Sequence, residues 1–362
     1  MEGSHGRELS REIRLGGVNK TFSWIPPVSP AIFTRLAEAS LIFVVANILS
    51  GAAVRLTGSG LGCPDWPTCY HHRLVAADAF HPLMEFGNRI FVIAVVVVAI
   101  ATLFAALARR PYNKELIKRS ASLVGGVIGE AIVGGIVVLS HLNPYAVAAH
   151  FLYAMVLATQ ALLIVHCSRH TPEELARLRV PLQAPTSRSS LLDSKVSPLR
   201  LYRRALLWSF GAISLIAAIL VAGAGATGAG PHAGAPNVVR FHVPFDDLIH
   251  LHALIATSAG LVVVAYAFLL HKWHFSWRVQ RRVWLLISVM AIQGAIGVTQ
   301  YLLHVPADLV ELHILGATTV WIIAVWQHLQ LKVEAHNATE KEEAGMRTTA
   351  SSVVETFPVA TE

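Results

Sequence analysis

Charge is what this sequence has least of. Asp, Glu, Lys and Arg make up 14% of its 362 residues, against 54% apolar, where a soluble domain carries about a quarter charged. A mean hydropathy of +0.55 points the same way, and the chain reads as integral to a membrane. Cysteine is equally sparse, at three residues. Within the apolar runs there is no His-x-x-x-His pair and no cysteine-containing ligand set, which argues against a zinc site of converging ligands. The five Met residues form no cluster around the histidines, which argues against copper. Before Ala31 the chain is polar, Arg-rich and then Pro-containing (Trp24-Ile25-Pro26-Pro27), without the apolar core and cleavage pattern of a secretory signal. No strand precedes Gly58-Ser59-Gly60 or Gly228-Ala229-Gly230, so neither reads as a phosphate cradle. They read instead as helix ends where the backbone turns.

What is present is a series of apolar runs, each about 20 residues long and able to cross a hydrocarbon core roughly 30 Å thick as a helix. The spans expected are Ala31–Ala53, Leu83–Leu107, Ser120–Ser140, Tyr145–Cys167, Ala205–Ala226, Asp247–Leu270, Val283–Leu303 and Ala307–Leu331. Runs of this length are twice what a barrel strand needs, so the fold class expected is an all-α integral membrane protein of eight transmembrane helices. The tail 332–362, rich in Glu, Ala and Thr, is expected to be disordered. Of the 29 Lys and Arg residues, 25 fall in the N-terminal segment through Arg35, the 109–119, 169–204 and 272–282 segments and the tail. The positive-inside rule then puts both termini in the cytoplasm. A net charge of +7 distributed this way is a topology signal, and nucleic acid is not expected as a partner.

The chain also echoes itself. Glu130-Ala131-Ile132-Val133-Gly134-Gly135 and Gln293-Gly294-Ala295-Ile296-Gly297-Val298 each begin 20 residues before a histidine, His150 and His313, and Pro144 and Pro306 stand shortly before those histidines. Leu56-Thr57-Gly58-Ser59-Gly60 is matched by Ala226-Thr227-Gly228-Ala229-Gly230. The reading is two tandem four-helix bundles in a parallel internal repeat. Its divisions are a cytoplasmic arm 1–30, a first repeat 31–168, a basic linker 169–204, a second repeat 205–331 and the tail 332–362.

Ionisable groups within spans are expensive and mark function. The helices that begin outside carry Glu85, Asn88 and Arg89; His150; His250 and His252; Glu311 and His313 in their first turns, all on the order of 10 Å deep. Haem iron asks for one axial side chain from each of two facing helices, which suits this pattern. Glycines within the spans, Gly134-Gly135 and Gly294 with Gly297 among them, either allow close helix approach or leave room for a flat macrocycle.

Several longer motifs carry a family resemblance. Arg55-Leu56-Thr57-Gly58-Ser59-Gly60-Leu61-Gly62-Cys63-Pro64-Asp65-Trp66-Pro67, Glu85-Phe86-Gly87-Asn88-Arg89, Thr227-Gly228-Ala229-Gly230-Pro231-His232-Ala233-Gly234 and Gln293-Gly294-Ala295-Ile296-Gly297 with Leu312-His313 resemble the haem A synthase family over roughly Leu36 to Gln330. The resemblance implies an oxidoreductase that converts haem O to haem A, turning the C8 methyl into a formyl group by successive hydroxylations and loss of water. It implies a haem b cofactor held by His252 and His313 in the second repeat, and substrate haem O (product haem A) received in the first. His252 is preferred to His250 because Leu251-His252-Ala253 matches the family pattern. The family presents two histidines in the first repeat as well, but Asn88 occupies one of those positions, which leaves either His150 as the single protein ligand there or a site that recruits another group.

By the same resemblance Glu85 is catalytic, since oxidising a methyl group to an aldehyde requires proton transfer. It lies nearly one turn before Asn88 on the same helix face; the plainer reading is an ion pair with Arg89 or Arg55. Arg55 and Arg89 are candidates for the haem propionates, because a guanidinium fork matches a carboxylate, or they snorkel to the interface. Cys63 and Cys69 share one outer loop, where an oxidising compartment favours a disulfide over a two-cysteine metal site; the family often carries such a pair. Cys167 reads as a buried thiol. Haem O synthase, a terminal oxidase or its assembly factors and an unidentified electron donor are the partners implied, beside the lipid membrane, and a bacterial plasma membrane is the location expected. A di-haem b-type cytochrome would show the same histidines but needs ligand pairs in both repeats. A haem transporter would explain the duplication, yet the polar groups cluster to one side of the bilayer instead of its midplane.

Overall fold

In a computed structural model, residues 26–70, 73, 75–180 and 198–356 are described, with the side chains of Pro198 and of 342–356 left aside. Helices α1 (Pro30–Leu56), α2 (Phe80–Ala108), α3 (Lys114–Leu139) and α4 (Pro144–Ser168) are followed by a short α5 (Pro172–Arg177). Then come α6 (Pro198–Ala229), α7 (Phe245–Lys272), α8 (Trp277–Leu302) and α9 (Ala307–Thr356). Eight of these, all but α5, are long and apolar enough to cross a membrane. Among the described residues the only strand-like pairings are two isolated bridges, Val28 with Arg109 and Tyr70 with Arg73.

The helices run a few residues beyond the apolar windows because polar caps extend them. Ser29 accepts the N–H of Ile32 ahead of Pro30 at the start of α1, and Asn113 and Asn143 cap α3 and α4 in the same manner. At the other end of α1, Gly58 takes a φ of +70°, where a side chain would be strained, and turns the chain into the outer loop.

Helices α1 to α4 pack in a ring, α1 on α2, α2 on α3, α3 on α4 and α4 back on α1; α6 to α9 pack in the same order. Phe33, Leu116, Leu123 and Ile164 are buried in the first core. Ile216, Val263, Tyr266, Leu270 and Leu286 are buried in the second. Helices α1 and α4 meet α6 and α9 between the two sets, where Trp321 Nε1 donates to Thr159 Oγ1 at 2.8 Å. The outward faces carry Ile42, Val97, Val156, Leu207, Phe268 and Trp284 uncovered. In water such a surface would drive aggregation, and in hydrocarbon it is the expected one. The protein is therefore a multi-pass membrane protein.

The tail departs from expectation. Helix α9 continues through 332–356, where composition suggests disorder. Partners distant in sequence hold the part up to Lys341. Glu334 pairs with Arg282 at 2.6 Å and Glu340 with Arg177 at 2.5 Å, His336 Nε2 meets the Val180 carbonyl, and Ala335 is fully buried. Residues 357–362, 181–197 of the basic linker and 1–25 of the arm lie outside the described residues.

Candidate functional site

Glu85 sits in the first two turns of α2, 4% exposed, beneath the outer loop. Its Oε1 accepts from Arg89 at 2.6 Å and its Oε2 accepts the Cys63 backbone N–H at 2.8 Å. Cys63 and Cys69 are joined as a disulfide and both are buried. Arg89 gives its remaining donors to the same loop, to the carbonyls of Cys63 (3.0 Å), Asp65 (3.0 Å) and Thr68 (2.9 Å). The ion-pair reading of Glu85 and Arg89 is thus the observed geometry, and loop, disulfide and carboxylate form one unit. Trp66 reaches down from this loop onto α3, where a Cβ on Gly135 would stand 2.6 Å from its ring.

Asn88, one turn further along α2, has a covered Oδ1 without a hydrogen-bond partner. His150 projects from α4 toward α3. Its Nδ1 is covered and lies 3.0 Å from Glu130 Oε1, while the side chain as a whole is 37% exposed. A Cβ on Gly134 would meet its Cε1 at 3.3 Å, so glycine is what lets the ring lie flat against α3.

The second set of helices brings His252 of α7 and His313 of α9 face to face, with ring centroids 6.2 Å apart and planes inclined by 67°. Two imidazoles sharing one metal through bonds of about 2 Å each, with roughly 1 Å more from nitrogen to ring centre, would put the centroids about 6 Å apart. The observed spacing fits a shared iron. His252 Nδ1 lies 3.1 Å from the Ile219 carbonyl; donation there fixes the tautomer and leaves Nε2 free. Each ring rests on a glycine of the neighbouring helix, His252 on Gly223 and His313 on Gly297, where a Cβ would stand 3.1 and 3.0 Å from the respective Cε1. Gly294, by contrast, faces open space. Gln293 Nε2 donates to the His313 carbonyl at 2.8 Å, and His313 Nδ1 is covered without a hydrogen-bond partner. His250 is exposed.

Arg55 stands at the seam between the two sets. Its Nη1 donates to the His232 carbonyl at 2.5 Å, His232 Nε2 meets the Val305 carbonyl at 2.7 Å, and Glu311 of α9 lies within electrostatic reach. The Gly60 N–H donates to the Gly234 carbonyl at 2.8 Å, knitting the two glycine-rich loops together.

The structure therefore brings His252 to His313, and Glu85 to Arg89 and the cysteine loop. The contacts of His150 are to α3, while Glu85 and Asn88 belong to α2. Sequence reasoning passed over Glu130, His232 and Glu311 as partners. For Glu130 the signal was present, since a carboxylate inside an apolar span needs a partner and this one stands at the register position of Gln293. The His232 carbonyl left no signal, because any residue has one.

A profile of the family described as cytochrome oxidase assembly protein matches residues 34–325, from α1 into α9. The chain is also similar to a Heme A synthase of Geobacillus thermodenitrificans, 30% identical over 113 residues, covering 30% of this chain and 34% of that protein. A Heme A synthase of Geobacillus kaustophilus is 31% identical over 140 residues, 37% and 43% of the two chains. One from Shewanella oneidensis is 54% identical over a shorter stretch of 39 residues, 11% and 12% of the two chains. The matched segments span less than half the length of each of these relatives. The profile match extends over most of the chain, and the chain belongs to the cytochrome oxidase assembly protein family.

Proposed function

We propose that the protein is a haem A synthase, oxidising the C8 methyl of haem O to the formyl group of haem A. The observation that carries this reading is the facing pair His252 and His313, spaced as two imidazoles on one iron inside a chain of this family. In this reading the two rings of four helices are two units, 31–168 and 205–331. His252 and His313 hold haem b, which supplies electron transfer when bound. The first unit would receive haem O, with His150 as the protein group that would hold its iron and Asn88 as a neutral amide nearby in sequence register. A bis-histidine site would bind more tightly on both faces, whereas an amide leaves one face open for loading and release.

Converting the methyl C–H bonds to C–O bonds requires protons to be moved at the reacting carbon, so a proton carrier is needed beside it. Glu85 is that group. Arg89 and the Cys63 N–H hold both of its oxygens at the outer end of α2, one turn from Asn88, and the loop above excludes bulk water. Arg55 and Arg89 lie at the outer ends of their helices, the level at which propionates would emerge. Arg55 contacts both units there, while Arg89 acts mainly by holding Glu85 and the loop. The setting proposed is a bacterial plasma membrane with both termini cytoplasmic. Haem O synthase delivers substrate, and a terminal oxidase or its assembly factors receive product.

Membranes from a host supplied with haem O synthase, with and without this chain, test the reading by chromatography of extracted haems. Haem A should appear only with the chain. Glu85→Ala should abolish it or trap a partly oxidised haem while haem b is retained, and Asn88→Ala should be milder than His150→Ala. Haem O left unchanged by the wild-type chain would overturn the proposal.

A further inference from the structure

We propose that Glu130 is the positioning residue for His150, and that it makes the two iron sites unlike: an imidazole backed by a carboxylate in the first unit, imidazoles with no anionic partner in the second. The inference rests on the reading of His150, His252 and His313 as axial ligands.

Glu130 lies midway along α3, 6% exposed, within an apolar span. A carboxyl group there is costly unless paired and marks function by default. Its Oε1 stands 3.0 Å from His150 Nδ1, and its Oε2 is covered without a hydrogen-bond partner. The Nδ1 of His150 is thus covered against α3 while the side chain as a whole is part-exposed, and a carboxylate at Nδ1 would leave Nε2 as the nitrogen free to ligate. The pair is at contact distance without hydrogen-bond alignment. Catalytic and ligand-site hydrogen bonds are commonly poorly aligned without the ligand and tighten when it is bound.

The second unit shows the contrast. Gln293 stands 20 residues before His313, as Glu130 does before His150, but its amide turns to the His313 backbone carbonyl. His252 Nδ1 meets a neutral carbonyl, that of Ile219. Among the described residues, His150 alone of the three histidines has a carboxylate at its Nδ1. An acceptor at Nδ1 fixes the tautomer and raises ligand basicity, and an anionic acceptor does so most. A more basic axial imidazole stabilises the oxidised iron, so the first site is set to a lower potential than a neutral partner would give.

The test uses the purified full-length chain carrying its own haem b and titrated with haem O. Glu130→Gln, which is isosteric and uncharged, should raise the midpoint potential of the added haem O and weaken the Fe–His150 stretch in resonance Raman, while the haem b signals stay in place. Glu130→Ala should weaken haem O binding by about 10- to 100-fold, the usual cost of losing such a partner. A potential and stretch unchanged in Glu130→Gln would overturn the positioning role, even if haem A is still made. Loss of both haems from Glu130→Gln and Glu130→Asp alike would overturn it in favour of a structural one. If the wild type binds haem O but forms no haem A while Glu130→Gln still shifts the potential, the inference stands and the catalytic reading falls.

Discussion

Replacing Arg89 with Met separates two roles that its position allows, contact with a propionate and support of the outer loop. The side chain keeps its apolar stem but loses its five hydrogen bonds, to Glu85 and to the carbonyls of Cys63, Asp65, Pro67 and Thr68. Glu85 is then left beneath the loop with only the Cys63 N–H. Breaking a buried ion pair by removing one partner costs about 3–5 kcal/mol. The Arg89 side chain keeps 18% exposure, so water relieves part of this, and the low end, about 3 kcal/mol, is the appropriate figure. Of the carbonyls released, those of the exposed or part-exposed Asp65, Pro67 and Thr68 rehydrate readily, while that of buried Cys63 adds to the cost. About 3 kcal/mol corresponds to a roughly hundredfold larger population of the opened loop. Where closing is fast relative to cleavage, disulfide reduction follows that population. A membrane-impermeant phosphine should therefore reduce Cys63–Cys69 about a hundredfold faster in Arg89→Met. Arg89→Lys should fall between, since an ammonium cannot reach the carbonyls as a fork does. Reduction within twofold of wild type, accompanied by loss of haem A, would refute the loop role and return Arg89 to the propionates.

Three further outcomes are expected. His252→Ala or His313→Ala should remove a low-spin haem b spectrum that His250→Ala retains, read by absorption of solubilised membranes. Gly297→Val should displace the His313 ring and lose haem b, whereas Gly294→Ala, which faces open space, should keep it. A reporter active only when exported should be silent when fused after Val353; activity there would reverse the topology.

The spans were legible because bilayer thickness imposes a length on apolar runs that nothing else in the sequence imitates. Their ends were less so. Whether α1 begins at Pro30 or Ala31 depends on a single hydroxyl, that of Ser29. The tail was misread because Glu334 and Glu340 look solvated in isolation, and their partners Arg282 and Arg177 are distant in sequence. The histidines were legible as intramembrane polar groups at one depth. The facing of His252 and His313 follows only once α7 and α9 are packed around α6 and α8. The pairing of Arg89 with Glu85 was legible at i, i+4, but its hold on the outer loop was not, because those acceptors are main-chain carbonyls, which carry no side-chain signature.

The register between the two units carries the argument one step further. With His252 standing 164 residues after Asn88, Glu85 and Arg89 correspond to Ile249 and Ala253; with His313 standing 163 after His150, Glu130 corresponds to Gln293. At three register positions, then, the first unit carries an ionisable group and the second an apolar or neutral one. A site that only relays electrons benefits from neutral surroundings, because reorganisation of nearby charge would oppose transfer. A site that breaks C–H bonds must move protons and tune its iron, which requires carboxylates at defined positions. In the proposed reading Glu85, Arg89 and Glu130 serve the first unit, while the second carries its own carboxylate, Glu311, opposite Ala148 in the same register. Exchanging the pair, Glu85→Ile with Ile249→Glu, should abolish haem A without restoring it from the second unit. There the helix lacks the Arg89 and Cys63 groups that hold the carboxylate in place, and haem A formed by the exchanged protein would break the assignment.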